Sequence, residues 1–167
     1  MMPNTITTVG PPSASKPFPR FCDTCRKKTV WPATIPYTSQ IRHDGVLHSV
    51  ETPELVVPRC QECGTLYFDN HAEEQVSRVF RSQLHLLLPE QIRTNRQALG
   101  LSVEQLAGRL GLSADQISNW EEGLQFQSRA HDNLLRTFFA LPEARSAMCA
   151  DGINPTFGAV VELGGRP

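Results

Sequence analysis

Two hydrophobic periods divide the chain. From Phe21 to Phe68 the apolar residues are mostly β-branched or aromatic and no helical run develops, as in TVWPATIPYTSQIRHDGVLHSV. Asp44-Gly45 interrupts that stretch. Both residues tolerate positive φ, so the dipeptide predicts a tight hairpin turn. TPELVVP, residues 52–58, is expected as a further short strand leading to Cys60. Past Asp69 the period lengthens. Val76, Val79, Phe80, Leu84 and Leu87 recur at helical spacing, with Asn70 and Glu73 as a capping pair and Pro89 closing this helix or opening the next.

From Pro89 onward the pattern predicts several short helices. PEQIRTNRQALG stops at Gly100, SVEQLAGRLG at Gly111 and SADQISNWEEG at Gly123. The last two open on Ser102 and Ser113, each followed three residues later by glutamine, which is a capping box. A fourth helix through SRAHDNLLRTFFAL is expected to turn Leu134, Leu135, Phe138 and Leu141 inward, and one more short helix follows Pro142. GPPSASKPFP, residues 10–19, is too proline-rich for a core and predicts disorder. The expected order is a tail (1–19), a zinc-binding β domain (20–68), a connecting helix (69–88), a helix-turn-helix domain (89–143) and a C-terminal tail (144–167). The fold class is α+β, a small four-cysteine hairpin module followed by an all-α module.

Composition narrows the function. The 167 residues are 40% hydrophobic and 20% charged with a net charge of −1, ordinary for a globular chain. No apolar run approaches the ~18 residues of a membrane span, and the N-terminus lacks a secretory h-region, so a cytoplasmic protein is expected. No nucleophile sits beside a base in the sequence, and no enzymatic activity is expected. The near-neutral total charge does not by itself mark a polyanion binder; the local distribution decides.

The cysteines carry the most specific chemistry. Cys22-Asp-Thr-Cys25 and Cys60-Gln-Glu-Cys63 are two C-x-x-C turns, each able to aim two sulfurs at one ion. Zn²⁺ takes four thiolates at about 2.3 Å in a closed tetrahedron, so the expectation is one structural zinc per chain. A module of roughly 50 residues buries too little apolar surface to be secure without such a staple. Gly64 follows the second pair, where the backbone must bend. Cys149 stands alone and reads as an incidental thiol, and His43, His48 and His71 as surface or core residues.

Val103–Glu122 fits the helix-turn-helix template. Ala107 lies where only a small side chain fits, Gly111 in the turn, and Leu106, Leu110, Ile117 and Trp120 form the shared wedge. The second helix of that pair carries Asp115, Glu121 and Glu122, unwelcome near a polyanion. Glu121 is expected to pair with Arg96 on the first helix of the module, fixing helix orientation. Glu122 lies at the far end, and Asp115 sits in the first turn, where the dipole favours an acid and a cytosine amino group suits it. The predicted DNA-facing residues are Ala114, Asp115, Ser118 and Asn119. With no lysine or arginine on this helix, phosphate contacts fall to the helix N-termini at Ser102 and Ser113 and to Arg109 and Arg129.

The two cysteine pairs, the IPY-containing spacer, EQIRTNRQALGLSVEQLAGRLGLSADQISNWEEG and HDNLLRTFFALPE together resemble the YgiT-type zinc finger and helix-turn-helix proteins, the MqsA-like antitoxins. The resemblance spans Cys22 to Glu143. It implies a zinc domain that engages a partner toxin and a Cro/repressor-type domain that dimerises on a double-stranded operator and represses its own operon. The four cysteine ligands carry over unchanged. The family's two recognition contacts, an asparagine and an arginine, fall here on Asp115 and Asn119, a departure that bears on the operator. A protein-interaction module with little DNA binding is the alternative.

Overall fold

Asp44 and Gly45 take φ of 49° and 80°, the two positive values of a type I′ turn. They join β1 (Val30–His43) to β2 (Val46–Cys60) in one long antiparallel hairpin. The computed structural model describes residues 17–148. Cys149 lies outside the described residues, as do 1–16 of the tail expected at 1–19 and 149–167 of the tail expected at 144–167.

TPELVVP is not a separate strand, as expected above, but the middle of β2. The register shifts between Ile35 and Tyr37, where Pro53 and Glu54 together stand opposite Pro36. A bulge absorbs the prolines, whose missing N–H groups are harmless there. On one face of the hairpin Leu55 and Val57 pack with Ile35, Tyr37 and Leu66 against Ala72 and Val76 of α1 (Asn70–Gln83). The cap of α1 is Asp69, not Asn70: its backbone is extended and its carboxylate accepts the Ala72 N–H at 3.1 Å. Gln75 donates to the Val56 carbonyl and accepts its N–H, at 2.9 and 3.0 Å, and so seals the outer edge of β2.

The helical part comprises α2 (Pro89–Ala98), α3 (Val103–Leu110), α4 (Ala114–Glu121), α5 (Arg129–Ala140) and α6 (Pro142–Met148). Pro89 opens α2, a first-turn position that needs no N–H donor. Leu87, Ile92, Leu106, Ala107, Ile117, Trp120, Leu135 and Phe138 form one buried cluster. Leu141, expected on the inner face of α5, is exposed, because the helix ends at Ala140 and the extended backbone at Leu141 turns it outward. Phe18, placed above in a disordered tail, packs against Cys22, Val30 and Cys60. α6 runs across the expected boundary at residue 143.

α1 is more than a connector. Its Arg81, 1% exposed, donates to Gln127 Oε1 and to the Gln125 carbonyl, both at 2.8 Å. Gln127 in turn donates to the Leu87 carbonyl at 2.7 Å and to Asp132 Oδ1 at 3.1 Å. Asp132, fully buried, accepts the Leu87 N–H at 2.7 Å and Arg136 Nε at 2.6 Å. The segment from α1 to α2 is thereby bonded to α5 and to the loop before it. Rings of His43, His48, Phe80 and Phe126 meet edge to face at the same junction.

Candidate metal centre and nucleic-acid interface

Both cysteine pairs sit on congruent turns. Arg26 donates its N–H to the Cys22 carbonyl at 2.9 Å, and Gly64 does the same to Cys60 at 3.0 Å. Each of these residues, one past its pair, has positive φ, 61° at Arg26 and 77° at Gly64. The glycine adopts that conformation freely and the arginine under strain. The Arg20–Val30 bridge and the Cys60 N–H bond to the Thr65 carbonyl each close one turn, and the Val30–Cys60 strand pair with the Gln61 N–H bond to the Thr29 carbonyl at 3.0 Å brings the two turns together.

The four sulfurs all lie within 4.8 Å of one another, with Cys22 to Cys63 at 3.5 Å and Cys25 to Cys60 at 3.6 Å. Thiolates 2.3 Å from a common ion in a tetrahedron are about 3.8 Å apart. The donor set therefore fits one tetrahedral ion and leaves no open position for chemistry. Three hydroxyls approach the sulfurs, none of them evident from the cysteine spacing. Tyr67 donates to Cys22 at 3.2 Å, Thr29 lies 3.2 Å from Cys60, and Thr65 lies 3.1 Å from Cys63. The Tyr67 hydroxyl lowers the Cys22 thiol to about 5, the Thr29 hydroxyl lowers Cys60, and burial pushes Cys25 up to about 11. Such outer partners orient ligands and tune their basicity.

The second candidate surface is α3–α4. Ser102 and Ser113 accept the N–H of Gln105 and Gln116 at 3.1 and 3.2 Å, and both glutamines reach back to complete the boxes. Gly111 caps α3 at φ 67°, and the chain reverses there as the Leu112 N–H bonds the Ala107 carbonyl at 2.9 Å. Ala107 is buried in the helix crossing, with Ile117 and Trp120 beneath it. Glu121 is buried and paired in bidentate fashion with Arg96, both bonds at 2.7 Å, while Arg96 also donates to the Leu101 carbonyl at 2.8 Å. Arg93 adds a bond to the Glu121 carbonyl at 2.9 Å. This acid is therefore neutralised inside the module.

The predicted reading face is only partly open. Asp115 is exposed, Ser118 and Asn119 are half-buried, and Ala114 packs against the core cluster. Ala114 is not freely presented because, as the first residue of α4, it already packs against the core. Glu122, assigned above to the far end, is exposed on the stripe of Asp115 and Asn119, at i, i+4 and i+7. Of the phosphate candidates, Arg109 is exposed and has no ion pair among the described residues. Ser102 donates its hydroxyl to Glu104 at 2.8 Å, so a carboxylate stands at the α3 N-terminus. Its own backbone N–H and that hydroxyl hold Glu104 below the usual carboxylate range. Arg129 is exposed but already engaged: its guanidinium donates to the Leu84 carbonyl and lies 3.8 Å from Asp132, and its N–H donates to Asp44 at 2.8 Å.

Comparison with known proteins agrees with the helical half. The model of a family described as a helix-turn-helix domain matches residues 88–147, which takes in α2 to α5 and most of α6. No curated protein matches the chain. No helix among the described residues is long and apolar enough to cross a membrane. The chain carries a helix-turn-helix domain, preceded by a β-hairpin whose four cysteines are placed to hold one metal ion.

Proposed function

We propose that the protein is a sequence-specific DNA-binding transcription regulator of the YgiT type, an antitoxin-class autorepressor that acts as a homodimer in the cytoplasm. Its four-cysteine site holds one structural Zn²⁺, and its zinc domain engages the toxin. The observation that carries this reading is the match of residues 88–147 to a helix-turn-helix domain, joined to two intact capping boxes on either side of Gly111. One reading helix touches only a few base pairs, so two copies about 34 Å apart on a two-fold site supply the rest of the specificity. The closed thiolate set supports zinc in a structural rather than catalytic role.

The test is a binding selection on randomised duplexes with wild type, Asp115→Asn and Asn119→Ala. Wild type is expected to enrich a palindromic site. Asp115→Asn is expected to raise non-specific binding and change preference at one base pair of each half-site, and Asn119→Ala to lose about 1–3 kcal/mol of discrimination at a neighbouring position. If the three proteins enrich nothing, the protein-interaction reading replaces this one. The exposed acids Asp115 and Glu122 on α4 are the observation that favours that second reading.

A further inference from the structure

The tip of the hairpin lies against the loop that follows the reading helix. His43 Nε2 is 2.9 Å from the Gln127 carbonyl, and the Asp44 carboxylate accepts the Arg129 N–H at 2.8 Å. The same loop begins by wrapping onto α4, with the N–H groups of Leu124 and Gln125 both bonded to the Asn119 carbonyl, at 2.9 and 3.2 Å. The turn at Asp44-Gly45 is therefore only one short loop away from Asn119.

What the tip exposes matters for a polyanion. Arg42 is exposed; it donates to the Gly45 carbonyl at 3.3 Å and has no ion pair among the described residues. Leu47 stands directly across from it, and Val46 and Leu47 are 56% and 57% exposed. The acid of the turn, Asp44, is engaged by the α5 N-terminus. α4 carries no cation, and the exposed Arg129 is already engaged by the Leu84 carbonyl and Asp132. Arg109, in the last turn of α3, lies at the entry of α4. Among the described residues, the exposed cation at the hairpin tip that has no ion pair is Arg42.

We propose that the hairpin tip is a second DNA-contacting element, a wing whose Arg42 neutralises a backbone phosphate beside the groove that α4 enters. Leu47 lies along the neighbouring sugars. Arginine suits the role because its guanidinium takes a phosphate in bidentate fashion and is never deprotonated. The contact carries no base information; it adds affinity and sets register. This inference rests on the DNA-binding reading above.

The experiment measures duplex affinity against salt for the full chain with its metal bound, comparing wild type with Arg42→Ala, Arg42→Lys and Arg59→Ala. Arg59, an exposed cation at the cysteine end of β2, controls for net charge. Metal content and far-UV circular dichroism verify that each variant is folded. Arg42→Ala is expected to weaken binding to every duplex by about three- to tenfold and to reduce the salt slope by about one, whereas Arg42→Lys keeps the slope. Arg59→Ala is expected to match wild type. If wild type binds and Arg42→Ala matches it, or if Arg42→Ala and Arg59→Ala fall equally, the wing is refuted while the DNA-binding reading stands. If folded wild type binds no duplex, both fall together.

Discussion

Replacing Glu121 by leucine tests how α4 is held. The carboxylate is 4% exposed and takes two bonds of 2.7 Å from Arg96, whose side chain is 10% exposed. Removing the acid leaves the guanidinium buried, with the Leu101 carbonyl as its remaining partner. Breaking a buried pair from one side costs about 3–5 kcal/mol. Arg96→Met should cost less, about 2–4 kcal/mol, because half-exposed Arg93 already lies 3.5 Å from Glu121 and takes over part of the pairing. The double variant Arg96→Met/Glu121→Leu leaves no orphan charge, so the coupling should amount to about 2–3 kcal/mol. Urea denaturation followed by tryptophan fluorescence reads this out, since Trp120 is 3% exposed and sits beside Glu121. Additive single losses, with coupling near zero, would show that the pair does not orient α4 against α2.

Three further outcomes follow from the hydroxyl shell, the strained turn and the buried network. A thiol held low stabilises the folded form fully above its ordinary value near 9 and loses that contribution as pH falls through its folded value; for Cys22 the window runs from about 9 down to about 5. Tyr67→Phe removes the main cause of that lowering, so metal release on acidification, followed with a chelating dye, should move to higher pH; an unchanged midpoint refutes the role of Tyr67. Arg26→Gly should stabilise the cysteine module by about 0.5–1 kcal/mol by relieving the positive φ, measured as metal retention in rising urea, and a loss of retention would contradict it. Gln127→Ala strips partners from Arg81 and Asp132 and should cost about 2–4 kcal/mol, splitting a single unfolding transition into two when hairpin and helix probes are compared. Coincident transitions with an unchanged midpoint would refute it.

What was legible in the sequence is what depends on near neighbours. Asp44-Gly45 announces its turn because both residues tolerate the required φ, and Ser102 and Ser113 announce helix starts because the cap is completed three residues later. The four cysteines declare a common ion through two short spacings. β2 reads as broken because Pro53 looks like a terminator, and only the partner strand shows that a bulge accommodates it. Asn70 and Asp69 are equally good caps by type, and the extended backbone at Asp69 decides between them. Arg81 and Gln127 lie 46 residues apart, and nothing local marks either as buried. A lone arginine late in a helix and a loop glutamine both read as surface residues.

The hairpin also works as a measuring rod. β1 runs 14 residues from the cysteine turns to the loop beyond α4, about 45 Å at the usual rise of a strand. The separation between the cysteine site and the helix-turn-helix is thus written in residue count and does not depend on a flexible tether. Adding one residue to a strand would turn His43 away from Gln127, since neighbouring side chains point to opposite faces. Adding two to each strand would restore the facing but carry the tip about 7 Å past its seat. Lengthening is therefore out of register with the rest of the molecule at every step, which makes strand length at this hairpin a quantity the fold cannot let drift.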